Sequence, residues 1–96
     1  MESQKKDLRQ YELCISGRVQ GVGFRSAARN EARKLGLKGW VENLPDGSVH
    51  ALIQGDDLSC KQFIRWCYGG NAFSWTEKVD LQEKPLDQLT SFQIRF

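Results

Sequence analysis

Residues 38–54 read KGWVENLPDGSVHALIQ and carry the signals of two strands and a turn. Two strand-like runs, residues 38–43 and 48–54, are separated by Leu44-Pro45-Asp46-Gly47. Proline presets φ at the start of a turn, and Asp-Gly supplies residues that turns favour. The stretch therefore predicts a β-hairpin.

A predicted helix lies on each side of this hairpin. Apolar residues recur at helical spacing over residues 24–35, and Gly36 is placed to end that helix. After the hairpin, Gly55-Asp56-Asp57 offers an N-cap, and a second apolar stripe runs as far as Gly69-Gly70-Asn71. The stripes consist of Phe24, Ala27, Ala28, Ala32 and Leu35 in the first helix, and of Cys60, Phe63, Ile64 and Cys67 in the second.

Three further strands are predicted outside the helices. Apolar residues alternate over residues 11–16 until Gly17, and extended chain also suits residues 75–83 and 92–96. The order strand, helix, strand, strand, helix, strand is the split βαβ arrangement, with both helices on one face of a mostly antiparallel sheet. The predicted fold class is α+β, a two-layer βαββαβ sandwich whose short fifth C-terminal strand extends an edge.

The composition is that of one small folded domain, since 40% of the 96 residues are hydrophobic and 27% are charged. We predict a flexible N-terminal lead over residues 1–9, where only Leu8 is available for burial, and a single domain over residues 10–96. The net charge of +2 is scattered and forms no basic stripe of the kind that binds nucleic acid. No stretch approaches the roughly 20 apolar residues that span a bilayer, and the N-terminus lacks a secretory signal, so we expect a cytoplasmic protein.

The three cysteines are predicted to be reduced thiols, because their number is odd and their spacing is not that of a metal site. Cys60 and Cys67 lie seven residues apart in the predicted second helix and share a face, which favours packing as small apolar residues. No clustered set of His, Asp and Glu suggests a metal either.

The segment Gln20-Gly21-Val22-Gly23-Phe24-Arg25 joins a predicted strand to a helix N-terminus. Backbone N–H groups at such an end lack helical partners, and the helix dipole favours negative charge there. The two glycines let an anion approach the backbone, and Arg25 adds a cation with paired donors. The pattern is typical of a phosphate site, although a tight turn followed by a solvated arginine fits the same residues.

Two blocks of sequence closely resemble the signature motifs of the acylphosphatase family. They are Gly17-Arg18-Val19-Gln20-Gly21-Val22-Gly23-Phe24-Arg25 and Leu35-Gly36-Leu37-Lys38-Gly39-Trp40-Val41-Glu42-Asn43, the latter followed by Asp46-Gly47-Ser48-Val49. A weaker similarity extends through Phe63 to Ser91-Phe92-Gln93-Ile94, so that roughly residues 9–96 are covered. The resemblance implies a ferredoxin-like fold and metal-free hydrolysis of small acyl phosphates to carboxylate and inorganic phosphate.

The resemblance also implies roles for individual residues. Gln20, Gly21, Val22, Gly23, Phe24 and Arg25 would form the loop that binds the phosphoryl group, with Arg25 and Asn43 as the catalytic residues. Asn43 would orient the attacking water. We expect no cofactor and no metal, a monomer that binds a small acyl phosphate and releases inorganic phosphate, and no nucleic-acid or membrane partner.

Three features depart from what is common in that family. The segment Gly69-Gly70-Asn71-Ala72-Phe73 stands where Gly-Pro is common, Ser26 stands where a bulkier residue is usual, and His50 stands where an acidic residue is frequent. We expect His50 to be a solvent-facing strand residue. None of the three removes a predicted catalytic group.

Two other functions remain open from the sequence. A non-catalytic phosphate or acyl-phosphate-binding module that regulates a partner would use the same loop. An RNA-recognition domain shares the order of helices and strands, but the strand over residues 48–54 lacks the aromatic residues on which bases stack.

Overall fold

The computed structural model describes residues 7–69 and 74–96. Along these residues the elements are β1 (Leu8–Arg18), α1 (Phe24–Lys34), β2 (Lys38–Asn43), β3 (Val49–Asp56), α2 (Asp57–Gly69), β4 (Trp75–Lys84) and β5 (Phe92–Arg95). The strands form one sheet in the order β4-β1-β3-β2-β5, in which β5 is parallel to β2 and the other pairs are antiparallel. The predicted α+β ferredoxin-like sandwich, with its short fifth strand at an edge, is confirmed.

Both helices pack on one face of the sheet and bury the apolar stripes that predicted them. The buried helical residues are Phe24, Ala28 and Ala32 of α1 and Cys60, Phe63 and Cys67 of α2. Burial raises the pKa of the Cys60 thiol to about 12 and also raises the pKa of Cys67. All three cysteines are free, and the predicted packing of Cys60 and Cys67 as small apolar residues is confirmed by their burial.

Strand β1 begins at Leu8, earlier than the alternation of apolar residues predicted. Its first residues pair with the end of β3, Leu8 opposite Asp56 and Gln10 opposite Gln54. The Gln10 side chain is buried, donates to Asp87 Oδ2 at 2.9 Å, and accepts from Gln54 Nε2 at 2.8 Å. The last two residues of the predicted flexible lead therefore belong to the sheet, while residues 1–6 lie outside the described residues.

The helix ends follow the predicted capping residues closely. Helix α1 ends at Lys34, and the chain then turns with Leu37 N donating to Ala32 O at 2.8 Å around Gly36. Strand β3 runs on through Asp56, whose carboxylate accepts from Leu58 N at 3.2 Å and so caps α2. Helix α2 is described as far as Gly69, and the predicted terminating residues Gly70 and Asn71 lie outside the described residues.

The register of the sheet brings one end of three strands together. Both β1 and β2 are antiparallel to β3, and Ile15 and Asn43 each lie opposite Val49. The loop that follows β1 and the last residue of β2 are therefore at the same end of the sheet. Strand β5 is parallel to β2, with Arg95 opposite Glu42, so its C-terminal end lies there too. Of the helices in the described part of the chain, neither has the length and apolar character needed to cross a membrane.

Candidate active site

A cavity of about 140 Å³ lies where the ends of β1, β2 and β5 meet the start of α1. It contains five of the seven predicted site residues, whereas Gln20 and Val22 are not among the residues that line it. The lining consists of Val19, Gly21, Gly23, Phe24, Arg25, Ser26, Asn43, Ile94 and Phe96. The fold thus joins the predicted phosphate loop to Asn43 of the hairpin.

The N-terminus of α1 opens on this cavity. Gly23 precedes the helix with φ of 76°, in the left-handed region that a residue without Cβ adopts most easily. The first helical hydrogen bond runs from Ala27 N to Gly23 O at 3.1 Å, so the N–H groups of Phe24, Arg25 and Ser26 have no partner within the helix. No side chain caps this end and its first turn holds no acidic residue. The site is consequently electropositive and suited to an anion.

Arg25 extends from the first turn of α1 toward the last strand. Its Nη1 donates to the Arg95 carbonyl oxygen at 3.4 Å, and its guanidinium carbon lies 5.0 Å from the centroid of the Phe96 ring. None of the ion pairs formed among the described residues includes Arg25. Its charge is therefore available to a ligand in the cavity.

Asn43 ends β2 and contributes an unusual polar group. Its Oδ1 is buried and accepts no hydrogen bond from any described residue. A buried acceptor left in this state costs about 1–3 kcal/mol. Asn43 lines the cavity, so a hydrogen-bond donor bound there would remove this cost by pairing with Oδ1.

Gln20 is held against the hairpin rather than in the cavity. Its Nε2 donates to Leu44 O and to Ser48 O, each at 2.8 Å. Val22 is partly buried against the hydrophobic core. Of the predicted loop, the two glycines, Phe24 and Arg25 form the cavity wall, while these two side chains anchor the loop to the rest of the fold.

Sequence reasoning missed the contribution of the C-terminal strand to the site. Ile94 and Phe96 line the cavity, and Arg95 supplies the carbonyl that accepts from Arg25. The segment 92–96 carries no motif that marks it as part of a site, because its position depends on the parallel pairing of β5 with β2. Ser26, one of the departures from the family pattern, also lines the cavity.

His50 lies away from the cavity, on the face of the sheet that no helix covers. Its Nε2 is 2.7 Å from Glu12 Oε2 and its Nδ1 is 3.2 Å from Glu42 Oε2. The ring also packs edge-on against Trp40, with centroids 5.0 Å apart. The side chain is only 22% exposed, so His50 is more enclosed than the expected solvent-facing strand residue.

The neighbours of His50 influence the ionisation of Glu12. The hydrogen bond with His50, followed by that with Lys84, lowers the pKa of the Glu12 carboxyl. Within residues 7–69 and 74–96, no three or more His, Cys, Asp or Glu side chains are grouped so as to hold a metal ion.

Comparison with known proteins decides the family. A family model described as acylphosphatase matches residues 11–94. The chain belongs to the acylphosphatase family. It is accordingly a hydrolase of the class that acts on acid anhydrides.

Individual acylphosphatases are similar to this chain over nearly its whole length. The acylphosphatase of Roseiflexus sp. (strain RS-1) is 44% identical over 89 residues, which cover 92% of this chain and 96% of that protein. The acylphosphatase structure from Coxiella burnetii has a TM-score of 0.90 at 29% identity, covering 97% of this chain and 100% of the other. That from Bacillus subtilis has a TM-score of 0.88 at 37% identity, with coverages of 93% and 99%.

Proposed function

We propose that this acylphosphatase-family chain hydrolyses the carboxyl–phosphate bond of small acyl phosphates, releasing a carboxylate and inorganic phosphate. The loop over residues 20–25 and the Arg25 side chain bind the phosphoryl group, and Asn43 orients the attacking water. The observation that carries the proposal is the single cavity shared by the start of α1, Arg25 and Asn43.

Phosphoryl binding follows from the charge of the site. The N–H groups of the first turn of α1, which have no partner within the helix, donate to phosphate oxygens. Arg25 adds a charge that no described carboxylate neutralises. Glycine at positions 21 and 23 leaves the backbone accessible, since a Cβ built at either residue has no atom within 4 Å. Gln20 and Val22 contribute by holding the loop, and the amides beside Gly23 contribute the donors.

The chemical step requires little from the protein beyond position and charge. Asn43 Oδ1 accepts a hydrogen bond from the water, whose oxygen forms a bond to phosphorus while the bond from phosphorus to the carboxyl oxygen breaks. The electron pair of the broken bond leaves on the carboxylate, and the proton of the water passes to a phosphate oxygen. A departing carboxylate has a pKa near about 4, so it needs no general acid.

Phosphate binding gives the first test. Inorganic phosphate at ten times its dissociation constant should stabilise the folded state by about 1.4 kcal/mol, and the melting temperature should rise. A melting temperature that does not change over a wide range of phosphate concentration would contradict the phosphate site. Binding of benzoyl phosphate without its hydrolysis would instead leave a regulatory phosphate-binding module.

The same proposal includes a monomer in the cytoplasm that works without a metal or cofactor. Sedimentation of the purified chain at micromolar concentration tests the monomer, with a mass of 11.0 kDa as the expected value. A concentration-dependent mass would contradict it. Activity that depends on added divalent cations would contradict metal independence.

A further inference from the structure

The side-chain amide of Gln20 links two parts of the chain that are distant in sequence. Its nitrogen lies 2.8 Å from Leu44 O and 2.8 Å from Ser48 O. A primary amide nitrogen carries two hydrogens, so each carbonyl receives one and neither hydrogen remains for a phosphate oxygen. The Gln20 side chain therefore has a partner set of its own, separate from the cavity.

The two acceptors are the carbonyls that close the hairpin loop. Leu44 N donates to Ser48 O at 2.9 Å, and Gly47 N donates to Leu44 O at 3.1 Å. A carbonyl oxygen has two lone pairs, so Gln20 provides the second hydrogen bond to each. Leu44 directly follows Asn43, and the bond to its carbonyl thus restrains the backbone adjacent to the Asn43 side chain.

We propose that Gln20 is a positioning residue, which fixes Asn43 relative to the phosphate loop through the backbone of Leu44 and Ser48. This inference rests on the proposed function, because it concerns the geometry of the attacking water. The Gln20 amide joins the phosphate loop to the hairpin loop, so its loss changes the position of one relative to the other, while Arg25 keeps its place in the first turn of α1. A displacement of about 1 Å in such a site costs about 100-fold in rate.

A predicted split between turnover and binding distinguishes this role from a contact with phosphate. In Gln20→Met, which keeps the length of the side chain and removes both donors, kcat for benzoyl phosphate should fall at least about tenfold. The inhibition constant of inorganic phosphate should stay within about twofold of the wild-type value. Gln20→Asn keeps the amide but shortens its reach by one methylene, and it serves as the second variant if Gln20→Met does not fold. It should also lower kcat and leave the inhibition constant of phosphate unchanged.

Asp56→Ala is the control for a general loss of stability. Asp56 caps α2 through Leu58 N and Ser59 Oγ and lines no part of the active-site cavity, so its loss lowers the melting temperature and leaves kcat unchanged. A wild-type kcat in both Gln20 variants would overturn the positioning role. A parallel loss of phosphate binding and turnover in the Gln20 variants would also overturn it. A loss of kcat in Asp56→Ala as large as that in the Gln20 variants would overturn it as well.

The wild-type assay separates this inference from the proposed function. If the wild-type chain hydrolyses benzoyl phosphate and the Gln20 variants match it, only the positioning role is wrong. If the wild-type chain binds phosphate and does not hydrolyse benzoyl phosphate, the proposed function is wrong and the role of Gln20 in it is wrong as well.

Discussion

Arg25 in the first turn of α1 and Asn43 at the end of β2 line the same cavity, although they come from separate elements of the fold. They meet because β1 and β2 run parallel to each other on either side of β3, which places the end of β2 beside the loop that leads into α1. Their chemistry differs, since one is a cation and the other an uncharged amide. Substitution should therefore separate binding from turnover.

Arg25→Ala should lose both phosphate binding and turnover. A hydrogen bond to a charged group contributes about 1.5–3 kcal/mol, so the dissociation constant for phosphate should rise at least about tenfold. Calorimetry with inorganic phosphate measures the first effect and benzoyl phosphate hydrolysis the second. Arg65→Ala, which removes the same charge from an exposed residue of α2, is the control and should bind phosphate like the wild type.

Asn43→Ala should keep phosphate binding and lose turnover by about 100-fold or more, because the water is no longer oriented. Its free energy of unfolding should stay within about 1 kcal/mol of the wild-type value, since removal of a buried, unpaired oxygen offsets the lost packing. Urea denaturation and steady-state kinetics on one protein sample test both expectations. Wild-type turnover in this variant would show that Asn43 does not orient the water.

Gly39→Ala should destabilise the fold by about 3 kcal/mol or more. Gly39 adopts φ of 139°, and a Cβ there would collide with the carbonyl group of Leu52 on the neighbouring strand. Gly69→Ala is the matched control, because a Cβ at Gly69 meets no atom within 4 Å. Equal urea midpoints for the two variants would contradict the close approach of β2 and β3.

Glu12→Gln should reduce stability at neutral pH and have less effect in acid. The Glu12 pKa is lowered in the folded state, mainly by His50, so the stabilisation is present above the ordinary carboxyl pKa and is lost as pH falls through the lowered one. The partly exposed group contributes at most about 1 kcal/mol. The urea midpoint of the variant should lie below that of the wild type at pH 7 and approach it at pH 3. Glu77→Gln, at an exposed residue of β4, should match the wild type at both pH values.

The fold was predictable because local signals agree with the tertiary arrangement. The helical spacing of Phe24, Ala28 and Ala32 marks the buried face of α1, and Gly36 marks its end. The start of β1 could not be predicted from the pattern of apolar residues, since Gln10 is polar. It is buried because Gln54 and Asp87 complete its hydrogen bonds.

The site was predictable where a backbone feature or a family motif marks it, as at Gly23 and Arg25. The directions of the side chains could not be predicted from the sequence, because they depend on distances between separate helices and strands. Gln20 turns to the hairpin since two carbonyls lie within its reach, and Phe96 reaches the cavity through strand pairing. His50 is enclosed because the register sets it opposite Glu42 and near Glu12, which no single strand reveals.

Hydrolysis of benzoyl phosphate by the purified chain, measured with a chelator present throughout, is the decisive test of metal-free acyl phosphate hydrolysis. We expect release of benzoate and inorganic phosphate at a rate that the chelator does not change, and loss of turnover in Arg25→Ala and in Asn43→Ala. Absence of hydrolysis by the wild-type chain, or full activity in both variants, would contradict it.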